Sequence, residues 1–410
     1  LAAVLDNLKD ASRAELDSLA KAFGEERPGD LSDARLRAFL ADKAQEYQSY
    51  RSTIDALDDR VAAIANLKGA AKDAAERLDF DTVEDLLSRV QTVELEIAAA
   101  TAEARADNAL LRNRVEQAHA LLSAAADSFA AVDPLETARR RLAAGNRLGE
   151  HGDRYGGASL PLAICLLTRL IDDLPRAADP EFWAVAHNHR ANALQAQGTR
   201  TAGAVGTALL AQAVADFTGA LEVFTRADHP VGWAMTLQNR AGALQAQGSR
   251  TAGASGTALL AQAVADFTGA LEVFTRADHP VGWAMTLQNR AGALQAQGTR
   301  TAGAAGTALL AQAVADYTGA LEVRTRADHP VQWAMTLQNR AGALNAQGTR
   351  TAGEAGAALL AQAVADYAGA LEVFTRADHP VDWAGTLYNR ANALRAQGTS
   401  TAGAAGAALL

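Results

Sequence analysis

The chain has one cysteine, three methionines and few aromatic residues, which make up 5 % of the total. A single thiol, Cys165, excludes an internal disulfide framework. It lies in the apolar stretch Leu162–Leu167, where a buried and unreactive core thiol is the expected state. Valine, isoleucine and aromatics are too sparse beside alanine and leucine to build strands, so helices are expected throughout. No apolar run reaches the ~20 residues of a membrane span, the longest being interrupted by Arg169. Thirty-eight basic residues against 47 acidic ones give a net charge of −9, almost all of it in the first 200 residues. No basic face is available to cover phosphates, which argues against nucleic acid as a partner. At 49 % hydrophobic and 21 % charged, the composition is that of a soluble, folded chain, and a cytoplasmic location is expected.

What the sequence does have is repetition. Its five tryptophans stand at 183, 233, 283, 333 and 383, a spacing of fifty without exception. Residues 201–250 and 251–300 differ at two positions only, 205/255 and 249/299. A fainter earlier copy is marked by Pro134, Leu148 and Gly152, 46 residues before Pro180, Leu194 and Gly198. The copies are therefore 134–179, 180–229, 230–279, 280–329 and 330–379, with a partial one at 380–410 that stops inside its second helix, as a fragment or an incompletely built array would. Each copy predicts two helices. Helix A opens at Pro230 and closes at Gly248, with Trp233, Leu237, Ala241 and Leu244 on one stripe. Helix B runs from about Thr257 to Arg276, with Leu259, Ala263, Phe267, Ala270 and Phe274 on one face, and Gly248–Gly256 between them reads as a glycine-rich loop. Two helices cannot shelter both stripes alone, so each copy must pack on its neighbours, and the expected fold is an all-α solenoid.

The run Ala213-x3-Phe217-x2-Ala220-Leu221, following a helix that ends in glycine, resembles the second helix of a tetratricopeptide repeat. The run His229-Pro230-x3-Ala234-x2-Leu237-x-Asn239 resembles the variant of kinesin light chains and many bacterial repeat arrays. The resemblance covers 134–410, about two thirds of the chain. It implies a right-handed superhelix, a concave face lined by the A helices, and asparagines that hydrogen-bond the backbone of an extended peptide. Two features depart from it. The period is fifty rather than the usual ~34, an excess assigned mostly to the glycine-rich loop, and Arg240 stands where leucine is usual.

Arg190, Arg240, Arg290, Arg340 and Arg390 recur near the middle of the A-helix apolar stripe, where an unpaired guanidinium is costly. A carboxylate partner is expected in each copy, within it or across to the next: Asp216, Asp266, Asp316 or Asp366, with Glu222 and its equivalents as second choice. A ligand-binding arginine ladder is the alternative. Asn239, Asn289, Asn339 and Asn389 lie about 100° from the Trp-Leu stripe, with Gln238, Gln288, Gln338, Gln245 and Gln295 on the other flank. An amide supplies both a donor and an acceptor, so these nine are the candidates for a peptide groove, against the alternative of a solvated polar flank. The first copy has His189 in place of Asn. Copy-to-copy changes at Gln295/Asn345/Arg395 and Gly282/Gln332/Asp382 fall at polar sites where they can tune recognition, whereas Phe274/Arg324 replaces an apolar residue.

No catalytic residue, cofactor or metal is read from the sequence. Asp228-His229 and its copies are adjacent residues that do not face each other, and are better explained as helix starts, with Asp or His capping and Pro230 in the first turn. Gly248-x4-Gly253 has Ala254 where a phosphate loop needs lysine, and no strand precedes it.

Residues 1–133 read as an all-helical, coiled-coil-like cap on the array. Leu40, Tyr47, Tyr50, Ile54, Leu57, Val61 and Ile64 form a short heptad seam, either an intramolecular hairpin, which is favoured, or a dimer coiled coil. A seam of Val83, Leu86, Leu87, Val90 and Val93 follows, then one Ala-rich helix over 94–131 that ends before Asp133-Pro134. The functional expectation is a scaffold binding a protein or peptide. Head-to-tail self-assembly and a sensor fragment of a larger bacterial effector enzyme are the alternatives.

Overall fold

A computed structural model describes residues 8, 10–55, 61–77 and 79–400; among these there are sixteen α-helices and no strand. The chain divides into two compact units, Leu1–Ala196 and Gln197–Leu410.

The first unit contains α1 (Arg13–Ala22), α2 (Asp33–Asp55), α3 (Val61–Glu76), α4 (Phe80–Leu111), α5 (Val115–Asp127), α6 (Pro134–Tyr155), α7 (Ser159–Asp173) and most of α8 (Pro180–Arg200). Leu16 and Leu19 of α1, Leu36 and Leu40 of α2 and Leu111 of α4 make one core. A second joins Ala106 and Ala109 of α4, Leu122 of α5, Leu148 of α6 and Leu166 of α7. The single Ala-rich helix expected over 94–131 is two helices. Arg114 donates its N–H to the carbonyl of Ala109, and Asn113 takes a left-handed turn at φ 54°, closing α4 in the manner of a helix C-cap. Gly24 packs on this corner so closely that a Cβ there would stand 2.3 Å from the Arg112 carbonyl oxygen. Of the heptad seam, Leu40 is fully buried, while Leu57 and the side chains of Tyr50, Ile54 and Val61 lie outside the described residues.

Cys165 is exposed, which corrects the core thiol expected of it. The buried stripe of α7 is Leu160, Ala163, Leu166, Leu167 and Leu170, and position 165 falls between its edges on the far side of the helix. An apolar run by itself does not say which side of a helix faces the core.

The second unit contains the end of α8, then α9 (Gly203–Leu221), α10 (Pro230–Arg250), α11 (Gly253–Ala270), α12 (Pro280–Arg300), α13 (Gly303–Leu321), α14 (Pro330–Gly348), α15 (Gly353–Ala370) and α16 (Pro380–Ser400). A and B helices alternate, each packed on the next in sequence. Every core here is shared between copies. Ala241, Leu244, Ala263 and Phe267 close over Ala293 of the following copy, and Ala291, Leu294, Ala313 and Tyr317 close over Ala343. This is a helical-repeat solenoid, in which no pair of helices buries its own apolar surface.

The glycine-rich segment is not a loop. α10 runs to Arg250 and α11 begins at Gly253, leaving two residues between them. A Cβ on Gly256 would lie 1.9 Å from the Thr251 carbonyl oxygen, and one on Gly248 would lie 3.0 Å from the Gly256 carbonyl oxygen, so these glycines let two helices meet at the closest approach. Only Gly253, at φ 67°, needs the left-handed region. The excess over the usual repeat length resides instead in long helices and in the nine-residue connection Leu271–His279.

α9 is long and apolar enough to cross a membrane by length and composition, a property missed when only uninterrupted apolar runs are counted. It carries the buried Asp216, and its equivalents α11, α13 and α15 are packed B helices.

Candidate functional site

Three of the recurring arginines, Arg240, Arg290 and Arg340, are paired within their own copies, while the Nε of Arg390 is buried without a hydrogen-bond partner among the described residues. Arg240 donates Nε–H and Nη2–H to the two carboxylate oxygens of Asp266, both at 2.7 Å. Arg290 and Asp316, and Arg340 and Asp366, repeat the geometry with the same distances. The third arm reaches back one copy: Arg240 Nη1 donates to Thr218 Oγ1 at 3.3 Å, and Arg290 Nη1 to Thr268 Oγ1 at 3.2 Å. The fork fits a carboxylate bidentately, and the pair is dry enough that losing one partner leaves a costly charge behind. Asp216 is likewise buried. Glu222 was the second choice, but its equivalents serve another contact, since Arg226 pairs with Glu272, Arg276 with Glu322 and Arg326 with Glu372, one copy on and near the surface.

A second inter-copy clasp was not anticipated. Arg300, at the end of α12, donates to the carbonyls of Gly248 and Thr251, the latter at 3.2 Å, and to that of Ser249. These carbonyls lie at the C-terminus of α10, where a cation also meets the negative end of the helix dipole. Arg250 and Arg350 do the same for α8 and α12. The recurrence of Arg at the last turn of helix A was the available signal.

The Asp-His-Pro starts differ from the expected caps. His229 is the residue before the helix, but neither its side chain nor that of Asp228 caps it. Asp228 instead accepts from Thr225 Oγ1 at 2.6 Å, and His229 stands edge-on to Phe224 with centroids 5.5 Å apart. Pro230 occupies the first turn. Among the described residues no group of three or more His, Cys, Asp or Glu could hold a metal ion.

Val231, Met235, Asn239, Gly242 and Ala246 lie within one narrow stripe of α10 that turns away from its core, and the same positions recur on α12 and α14. Met235, Met285 and Met335 are exposed. Asn239, Asn289, Asn339 and Asn389 are half-buried, and none makes a side-chain hydrogen bond to another described residue. Adjacent A helices are close enough to bond: Thr336 Oγ1 donates to Gln288 Oε1 at 2.8 Å and Thr386 Oγ1 to Gln338 Oε1 at 3.2 Å.

That geometry separates the glutamines from the asparagines. Gln288 and Gln338 are engaged between copies, and Gln238 is buried. Gln245 and Gln295 lie over the next copy's glycine, their Nε2 atoms 3.1 and 3.2 Å from where a Cβ on Gly292 or Gly342 would stand. The glutamines at helix A's flank thus sit at junctions between copies, which sets them apart from the asparagines. At the asparagine register the first copy has His189, whose pKa is lowered by burial.

The first unit holds a polar cluster with no repeat to announce it. Lys43, 1 % exposed, donates to Glu46 at 3.0 Å and lies over the Tyr155 ring at 4.0 Å. Tyr155 donates its hydroxyl to the same Glu46 at 3.1 Å. His151 Nδ1 faces Ser159 Oγ at 2.8 Å, and burial, aided by the nearby Lys43 charge, brings its pKa down to about 4. Arg141 is held by Asp127 at 2.9 Å and by Asp173. The contact of Tyr155 with Glu46 spans 109 residues, a separation that hides it from any local reading.

Neither a scan against protein-family models nor a search of curated protein sequences gave a match.

Proposed function

We propose that the chain is a non-enzymatic scaffold of the tetratricopeptide-repeat kind, which takes an extended peptide or a protein segment across the A-helix face of its second unit. The observation that carries this reading is the series Asn239, Asn289, Asn339 and Asn389, at one register on successive A helices, half-buried and free of side-chain hydrogen bonds to other described residues. Other recurring polar side chains of helix A, Arg290, Arg300 and Gln288 and their equivalents among them, bond between helices or copies. An amide is the side chain that can satisfy a peptide N–H and C=O together. Met235, Met285 and Met335, exposed on the same stripe, add adaptable apolar contact.

A displayed library of random twelve-residue peptides tests the reading. The chain is expected to enrich extended sequences, and Asn289→Ala with Asn339→Ala to weaken a selected peptide by about tenfold, the loss of two amide bonds to backbone. Peptides that bind the double variant undiminished would remove the asparagine face from the account. Light scattering on the unliganded chain separates it from head-to-tail assembly, since a groove binder keeps one mass across concentration and a stacking array grows.

A further inference from the structure

Position 324 breaks the repeat. Its equivalents Phe224, Phe274 and Phe374 are buried, and each stands edge-on to the histidine before the following helix. Arg324 is half-buried in the same slot. Its Nη1 donates to Gln288 Oε1, a neutral acceptor. Among the described residues it has no ion pair, and none of its nitrogens is both buried and without a partner, so the remaining N–H groups face solvent.

None of the copy's carboxylates pairs with it: Asp316 is held by Arg290 and Glu322 by Arg276, while Asp328 accepts from the Thr325 hydroxyl. The copy's other arginines are committed as well: Arg290 to Asp316, Arg326 to Glu372 and Arg300 to backbone carbonyls. Residues 280–329 thus carry four arginines against three carboxylates, where 230–279 carry three of each, in a chain whose total is −9. A second departure accompanies the first. In the preceding copy a Cβ on Gly282 would stand 3.6 Å from the Phe274 ring, and at the equivalent of that glycine this copy's junction has Gln332, an exposed amide. Thr336, bonded to both Gln288 and the Gln332 carbonyl, closes the group on the A-helix side.

The geometry points to a carboxylate subsite: we propose that Arg324, flanked by Gln332 and oriented by Gln288, receives an aspartate or glutamate side chain of the peptide bound across α12 and α14. The guanidinium fork matches a carboxylate bidentately, and its partly dry setting strengthens the pair. The neutral Gln288 fixes one arm without discharging it. Phenylalanine suffices at this position in three other copies, so folding does not demand the arginine. This inference rests on the peptide-binding reading above, and it fixes one side chain of the ligand.

The test uses the whole chain, the random twelve-residue library and Arg324→Phe, which restores the residue of the other copies and so keeps the fold. The wild-type chain is expected to enrich peptides with Asp or Glu at one fixed position, and Arg324→Phe to lose that preference while still binding. For a synthetic selected peptide, replacing that Glu by Gln should weaken binding to the wild type about tenfold and leave binding to Arg324→Phe unchanged. Equal binding of the Glu and Gln peptides by the wild type overturns the subsite and spares the peptide-binding reading. No enrichment by either protein overturns both.

Discussion

The two units bury the same kinds of polar group in opposite ways. In the first, each arrangement occurs once: Lys43 with Glu46 and Tyr155, His151 with Ser159, Arg141 with two aspartates. In the second, three arrangements recur every fifty residues: the Arg-Asp fork, the Arg clasp on helix C-termini and the surface Arg-Glu link. A contact made once has no substitute, so its loss falls on one place. A contact made in every copy is shared, and a copy that departs from it stands out. Repetition thus separates what the fold requires from what one copy adds, a distinction the first unit does not provide.

The largest expected effect is in the first unit. Glu46→Ala leaves the Lys43 ammonium buried without its counter-charge and should cost about 3–5 kcal/mol, read from urea unfolding. Next comes acid. The unfolded His151 imidazole takes a proton near its ordinary value, while the folded one does so only at about 4. The unfolded chain therefore binds more protons between those values, and stability is full above roughly pH 6.5 and drains toward pH 4 by about 3 kcal/mol. His151→Gln should flatten that slope in the first unit's transition, and an unchanged slope would place the titration elsewhere.

In the second unit Asp316→Ala should cost about 2–3 kcal/mol, less than in the first because Arg290 keeps some access to water. Arg290→Met with Asp316→Leu should cost less than the single change, as replacing both partners of a buried pair by apolar residues does. Smallest is Arg300→Met, at about 1 kcal/mol, because water can reach the freed carbonyls at the end of α10. Thermal unfolding of the three variants gives the order directly, and a reversed order would show that the clasp outweighs the fork.

How much was legible in the sequence follows the same line. The tryptophan period gave the helix pairs, and the cost of an unpaired arginine in an apolar stripe pointed to aspartates on helix B, within a copy or across to the next; the structure settles on the same copy, as in Arg240 with Asp266. The glycines were misread because the letter is the same whether glycine serves a turn or a helix crossing; only Gly253 is a turn residue, while Gly248 and Gly256 are crossing residues. The flank glutamines looked available because a helical wheel shows one helix and not the next, which is what Gln288 and Gln338 touch. Cys165 and the Lys43 cluster depend on tertiary packing that no period encodes.

The central claim is that positions common to the copies hold the second unit together, and that departures such as Arg324 and Gln332 serve recognition. The most direct measurement is the thermal midpoint and acidic-peptide affinity of the chain carrying Arg324→Phe and Gln332→Gly, which makes the copy's junction match its neighbours. The account predicts a midpoint held or raised, with affinity down about tenfold. A lowered midpoint with affinity intact would contradict it.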